Sequence, residues 1–483
     1  MMSDAFSAKR RKKAVLARSL MASGAALVLL TPLAAQAQGG RQADMEARLK
    51  MLEQAVADLK AELATARAQQ AQTLTETQQQ ATAQAQQAQA METRVAAVEA
   101  RPAPPEEGFK VGATTFRLGG FVKVVASSTH YSDGAVGTGA LGKEFYLPQQ
   151  IPVGQGYSSN DVVAHARQTR MVFSSSTPLG GKELKSVIEF DFALAAAPAG
   201  AQRSTNPYTP TFRRGFISYG NWLIGQEWTT FENPAFFPES TDFIGSTDGS
   251  IFVRQAMVQY RQPLGEGLAL YVAAENPQTE TLASTSVDGS YVDNDHDRLP
   301  DFVAKLDYTG NFGQLHVAGI VRKLSYENGA YDDSVTGWGV SAGGKILFGP
   351  DKRHDLRFTA TYGHGMGRYL AVGYVADAAY DATSATPGLK TIDNFAGFAA
   401  LKLGWTPTIR SSFIASYQDA DYPDGIVIPA LANKQAWSLA GNLFWSPVKN
   451  LDLGVEYRHG QRKVVSGDKG RLDRVEMAAK YTF

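Results

Sequence analysis

From residue 109 to the final Phe483, apolar and polar side chains alternate in runs of roughly 10 to 14 residues, and that period of two constrains the fold most. Successive side chains of a strand point to opposite faces, so each run describes a strand with one apolar and one wet face. The runs predict strands at about 114–128, 162–176, 183–193, 212–219, 221–229, 251–262, 267–276, 300–309, 313–324, 335–348, 354–366, 394–405, 409–419, 435–445, 450–463 and 471–483, sixteen in all. The last, "RLDRVEMAAKYTF", sets Val475, Met477, Ala479, Tyr481 and Phe483 against Arg474, Glu476, Lys480 and Thr482.

Every second connection is short and built of turn residues: "TPLGGK" (177–182), Gly220-Asn221, "PLGEG" (263–267), "GNFG" (310–313), "GPDKR" (349–353), Thr406-Pro407-Thr408 and "SPVKN" (446–450). The others are longer and rich in Asp, Gly and Ser. Short turns on one rim and long loops on the other are the layout of an outer-membrane barrel, and a soluble sandwich has no reason to keep that alternation. In hydrocarbon an unpaired backbone group costs several kcal/mol, so such a sheet closes on itself, the last strand meeting the first, "TTFRLGGFVKVVASS". Arg or Lys on the lipid face near mid-membrane costs roughly 2–4 kcal/mol, which turns the charged parity inward. Aromatics near strand ends (Trp222, Trp228, Trp338, Tyr362, Trp405, Tyr417, Trp437, Trp445, Tyr481, Phe483) fit interfacial girdles.

The N-terminus reads as a secretory signal over 1–37: a basic "AKRRKKAVLARSL", an apolar "MASGAALVLLTPLAA" and a cleavage site at Ala35-Gln36-Ala37. Its removal takes six basic residues and one acid from a balance of 47 and 47, leaving 41 against 46, a mildly acidic chain with no nucleic-acid partner. Cysteine is absent, which excludes disulfides, thiolate chemistry and most zinc-site patterns.

Residues 38–100 are rich in Ala, Gln, Glu and Arg. Met45, Leu49, Leu52, Val56, Leu59, Leu63 and Ala66 keep a 4-3-4-3 spacing, the seam of an oligomerising coiled coil that would stand in the periplasm. The frame then fades onto Gln70, Thr73, Thr77, Gln80, Gln84 and Gln87, so 70–90 also fits a loose spacer, and the seam does not set the number of helices. A Pro-rich linker, 101–112, precedes the barrel, 113–483. The fold class is therefore an all-β transmembrane antiparallel barrel of sixteen strands, preceded by an α-helical coiled coil.

Catalytic motifs fail on context, so no enzyme, catalytic residue, metal site or cofactor is expected. Gly339-Val340-Ser341-Ala342-Gly343 matches a hydrolase elbow, but that motif needs a strand–turn–helix bend, and the strand period runs straight through it. "DNDHDR" spaces Asp293, Asp295 and Asp297 like a cation loop, yet Arg298 and Ala304 stand where an EF-hand needs Gly and Glu. Asp332, Asp333, Asp377, Asp381, Asp421 and Asp424 make the outer mouth acidic, which opposes anion entry. Inward near mid-height fall Lys123, Arg170, Lys305, Arg458 and Arg474, with Glu189, Asp191, Glu456 and Glu476 at similar depth. These residues either line a pore with a transverse field or form a salt-bridge mesh that stiffens the wall. "TFENPAFFPESTDFIGSTDGS" (230–250) is either an inward constriction loop carrying Glu232, Glu239, Asp242 and Asp248 toward the basic wall, or a surface loop or subunit contact.

The Gln-rich coil, "FKVGATTFRLGGFVKV" (109–124), "ARQTRMVFSSSTPLGGKELKSVIEFDF" (166–192), "FISYGNWLIGQEWTTF" (216–231) and the terminal "YTF", in that order, resemble the DcaP-like trimeric outer-membrane porins of Gram-negative bacteria. The resemblance implies a homotrimer in outer-membrane lipid and lipopolysaccharide, passing small anionic solutes, dicarboxylates among them. It also implies that Phe483 signals to the barrel-assembly machinery. The expected function is passive diffusion of small hydrophilic solutes. A non-selective porin and an anchor or adhesin with an occluded barrel are the alternatives.

Overall fold

The computed structural model describes residues 108–194, 207–294, 296–327, 329 and 331–483, together with seven isolated helical positions from 50 to 64. The signal segment, the coil seam (Leu49, Leu52, Val56, Leu59, Leu63) and residues 101–107 lie outside the described residues. Two units separate at Pro105, and the second carries the sheet.

Sixteen antiparallel staves follow in chain order: β1 Thr114–Tyr131, β2 in two pieces Ser159–His165 and Arg170–Leu179, β3 Lys182–Asp191, β4 Thr211–Tyr219, β5 Trp222–Trp228, β6 Arg254–Gly265, β7 Leu268–Glu275 and β8 Asp301–Gly310. Then come β9 Gly313–Glu327, β10 Asp332–Phe348, β11 His354–His364, β12 Asp393–Gly404, β13 Ile409–Asp421, β14 Asn433–Val448, β15 Leu451–Val464 and β16 Lys469–Thr482. Each pairs with the next, and β16 pairs with β1 from Phe121↔Thr482 to Tyr131↔Leu472, so the wall has no open edge there.

Beyond Phe483 the lower part of β1 would stand unpaired on that side. The chain fills the gap itself: Phe109–Val111 folds back antiparallel on Thr114–Phe116, and the Phe109 and Phe116 rings stack at 5.3 Å. Phe483 N–H donates to the Gly120 carbonyl at 3.1 Å. Gly120 has φ +142°, and a Cβ there would lie 2.2 Å from the Arg170 carbonyl of β2.

The alternation assigns the faces. Lys123, Val125, Ser127, Thr129 and Tyr131 of β1 are buried inside, whereas Val122, Val124 and Ala126 are exposed outside. Trp222, Trp405, Trp445, Tyr481 and Phe483 ring the short-turn rim, and Trp338, Tyr362 and Tyr417 the other, all exposed. Trp228 departs from the expected girdle: its ring packs on Phe237 at 5.6 Å and Phe252 at 4.9 Å, because β5 ends there and the following loop turns inward. Connections 328–331 and 465–468 are as short as the opposite turns, since β9, β10, β15 and β16 run further than the alternation of their apolar residues showed. On the long-loop side, Thr279–Ala283, Val292–Asn294, Ala378–Tyr380 and Lys390–Thr391 form a separate four-stranded sheet.

Gly120→Val should cost on the order of 1–3 kcal/mol by forcing β1 off β2, whereas Gly119→Ala, whose Cβ meets only the Phe483 carbonyl at 3.7 Å, should be neutral. Heat-dependent gel migration of the two variants measures this, and equal melting would refute the close approach.

Candidate functional site: the charged lumen

Three loops enter the barrel. From 229–253, Phe231, Ile251 and Val253 pack with Met366, Tyr369 and Leu370 of 365–392 against Val303, Ala318, Ile320 and Ala396 of the wall. Phe236 is buried among Phe398, Ala400, Ile414 and Ala440. The third loop, 132–158, joins through Phe145 and Leu147, which pack with Ile244 and Phe252. Backbone bonds tie the loops together: Phe252 N–H to the Tyr369 carbonyl at 3.0 Å and Ala371 N–H to the Ser250 carbonyl at 2.9 Å. Residues 229–253 therefore fold inward.

Their carboxylates have distinct places. Glu239 accepts from Arg410 at 2.6–2.9 Å and lies 3.2 Å from Lys402, facing a basic wall. Asp242 accepts from Tyr146 N–H at 2.8 Å and from Ile244 and Gly245 N–H, bracing the loop itself. Asp248 accepts from Ser416 at 2.5 Å and Ser438 at 3.0 Å. Glu232 is buried, and its backbone carbonyl takes the Lys305 ammonium at 3.0 Å.

The expected pore-lining residues all point inward, but most are covered. Lys123 donates to Gln168 at 2.6 Å and to the Thr241 carbonyl at 2.7 Å. Arg458 donates to the Gly245 carbonyl and to Glu456, which also accepts from Ser240 at 2.6 Å. Arg474 holds Thr129 and the Gly142 carbonyl at 2.6 Å. Lys123, Lys305, Arg458, Arg474, Glu189, Asp191, Glu456 and Glu476 are each less than 10% exposed and do not face open lumen; Lys123, Lys305, Arg458, Arg474 and Glu456 latch the loops to the wall, whereas the Glu476 carboxylate makes no hydrogen bond among the described residues. The covering loops, invisible to a strand period, are the reason.

Arg170 remains partly exposed, with Asp191 at 3.3 Å and Glu189 at 3.6 Å. Around it stand three arginines that the alternation did not single out. A β-bulge opposite Glu189/Phe190 adds one residue to β4, so the consecutive Arg213 and Arg214 both reach Glu189 on the inner side. Arg213 meets Glu189 at 2.7 Å and Asp191 at 2.6 Å. Arg214 is bidentate on Glu227, both bonds 2.6 Å, and 3.2 Å from Glu189. Arg254 lies over Trp228 at 5.0 Å and Phe252 at 5.5 Å, and its buried Nη1 has no hydrogen-bond partner among the described residues. "FRRGF" was the available signal, but strict alternation turns one of its two arginines outward.

At the outer mouth several expected acids are already engaged. Asp377 is held by Arg322 at 2.7 Å, and Asp301 by the same guanidinium at 3.0 Å. Asp333 accepts from Leu389 and Ser334 N–H, both at 2.7 Å. Glu280 of the outer sheet is pushed up to about 8 by burial, then by Asp377 and Asp293 nearby. Asp297 accepts from Thr279 at 2.6 Å, and Asp295 lies outside the described residues. No group of three possible ligands is placed to hold a metal among the described residues. Ser341 sits in the straight β10 with Thr361 Oγ1 donating to its hydroxyl at 3.0 Å, so the elbow geometry is not formed.

A closed sixteen-stranded barrel with inturned loops and a charged interior defines an outer-membrane channel. A sequence model of the DcaP outer membrane protein family matches residues 150–483, and the chain belongs to that family. The crystal structure of the outer-membrane channel DcaP of Acinetobacter baumannii is similar, with TM-score 0.64 and 28% identity over 78% of this chain and 99% of that one. OmpT of Vibrio cholerae (TM-score 0.46, 12% identity, 78% of this chain and 100% of that one) and Salmonella typhi OmpF in complex with daunomycin (0.46, 12%, 77% and 98%) are more distant. No curated protein matches. The chain is accordingly a channel-type outer-membrane protein and not an enzyme.

Glu239→Ala should free the inturned loop from Arg410 and Lys402 and raise single-channel conductance and open-channel noise. Wild-type conductance in this variant would show that Glu239 is not a latch. Because the Glu280 carboxyl is raised in the fold, its contribution is fully present below the unfolded-state value near 4.5 and is lost as pH rises through about 8. Loops 276–300 and 365–392 should therefore be cut faster by protease at pH 8.5 than at 5.5, and Glu280→Gln should flatten that difference. An unchanged difference in the variant would discard this assignment.

Proposed function

We propose that the protein passes small hydrophilic solutes by passive diffusion and favours small anions such as dicarboxylates. The observation that carries this is the cluster of Arg170, Arg213, Arg214 and Arg254 against Glu189, Asp191 and Glu227, an excess of positive charge in which Arg170 Nε and Arg254 Nη1 have no hydrogen-bond partner among the described residues. A low-dielectric wall strengthens that field, and two planar guanidiniums suit a carboxylate at each end of a solute. The acidic mouth opposes this less than its composition suggests, because Asp377 and Asp333 are spent on internal bonds.

A homotrimer is part of the proposal. Ser175 and Ser186, bonded at 2.7 Å, lie on the outward parity of β2 and β3, as Gln226 does on β5. Polar groups on that face are better placed against another protein than in hydrocarbon. Phe483, at the end of the closing strand, is proposed as the contact for the barrel-assembly machinery. The packing of three loops in the lumen favours a second reading, an occluded barrel serving as an anchor or adhesin.

In planar bilayers the purified protein should give stepwise currents whose reversal potential in a salt gradient reports anion preference. Arg170→Glu and Arg214→Gln should each lower the anion-to-cation permeability ratio roughly twofold or more. A cation-selective wild type would sink the solute preference, and absence of stepwise current would leave the anchor.

A further inference from the structure

The outer surface of the β15–β16 hairpin carries three cations that make no ion pair among the described residues. The register sets Lys463 directly opposite Lys469, then Gln461 opposite Arg471, then His459 opposite Asp473. All six share the parity of Tyr457, Val475 and Met477, which are exposed on the lipid side, while Arg458, Leu472 and Arg474 of the other parity are buried inside. Lys469 and Arg471 are exposed and Lys463 half-buried. Among the described residues none of the three cationic side chains makes an ion pair or hydrogen bond, and Arg471 bonds only through its backbone, N–H to Ser132 Oγ at 2.9 Å.

The hairpin's two acids beside these cations bond other groups and form no ion pair with them. Asp473 accepts from His459 at 2.8 Å and from Tyr457 at 2.7 Å, and Asp468 from Ser466 at 2.7 Å. Like charges directly opposite on a sheet cost stability, so a Lys–Lys pair with no carboxylate in ion-pair contact favours an anion bound between them. The other described hairpin ends on this rim are built differently. Arg298 joins Glu327 and Asp332 at 3.1 and 3.4 Å, Lys434 joins Asp419 and Asp421, and His364 pairs with Asp393.

Depth identifies the anion. Beside and beneath the cations lie Trp437, whose ring is 5.3 Å from that of His459, and the exposed Tyr457, a position amphipathic rings take at headgroup level. Further down the same strands present Leu439, Val455, Val475 and Met477, all exposed, to hydrocarbon. The cations therefore stand at the headgroup plane of the outer leaflet, on the barrel's exterior, away from the lumen. Phosphate is the anion at that level, and two ammonium groups with one guanidinium suit a phosphate monoester carrying close to two charges.

We propose that Lys463, Lys469 and Arg471 form a binding site for the phosphate of an outer-leaflet phosphorylated glycolipid, its acyl chains lying along β14, β15, β16 and β1. The site rests on the membrane placement of the barrel and is independent of the proposed solute preference.

The test uses the full chain purified in mild detergent. Native mass spectrometry should find phosphorylated glycolipid retained on the wild type. The triple variant Lys463→Gln/Lys469→Gln/Arg471→Gln should retain about tenfold less, with heat-dependent gel migration and conductance unchanged. Delipidated wild type should rebind lipid A but not lipid A treated with phosphatase, and a Lys463→Arg/Lys469→Arg variant should rebind it normally. Inorganic phosphate at millimolar concentration should compete weakly, since it brings no acyl chains. Equal retention by the triple variant, or equal binding of the dephosphorylated lipid, overturns the site. Loss of oligomers with lipid content unchanged would make the patch a protein contact and also overturns it. Should the triple variant fail to fold, Lys469→Gln alone, at the exposed tip, must still lower retention.

Discussion

Closure of the backbone hydrogen-bond ladder underlies the rest of this structure. A sheet in hydrocarbon tolerates no open edge, and the pairing of β16 with β1, from Phe121↔Thr482 to Tyr131↔Leu472, removes the one that sixteen meandering strands would leave. The short strand Phe109–Val111 pairs with Thr114–Phe116 at the lower end of β1. Once the wall is closed, every strand has an inside and an outside. The choice of parity then sends Arg458, Glu476 and Lys123 inward and Val475, Met477 and Val124 outward.

The closed wall encloses a space that charged side chains share with three loops. Charge on the inner face serves two ends. Lys123, Lys305, Arg458 and Arg474 spend their hydrogen bonds on loop carbonyls, at Thr241, Glu232, Gly245 and Gly142. These buried cations each bond a loop carbonyl, and so fix where the loops lie. Arg170 and Arg254 are only partly spent, and selectivity is expected where charge is left over.

The fold was legible because its signal is local. The strand period, the seven short turns and the charge parity together implied sixteen staves, and the structure has sixteen. The girdle was legible too, except at Trp228, where a strand end turned the ring inside. The site was less legible. Inward parity named Arg170, which stays partly exposed, but also Glu189, Asp191, Lys123, Arg458 and Arg474, which are buried. Arg213 and Arg214 were passed over because a bulge breaks the parity rule at that one place.

The sequence by itself determined the membrane barrel, its strand number and which face of each strand is apolar, because these follow from a two-residue period and from the cost of burying charge in lipid. Only the tertiary structure decided which inward charges meet solvent, how Glu239 reaches Arg410 and Lys402, and that Lys463, Lys469 and Arg471 stand together without an ion pair among the described residues. Those outcomes depend on contacts between residues far apart in the chain, or on strand register, and a local alternation holds no record of either.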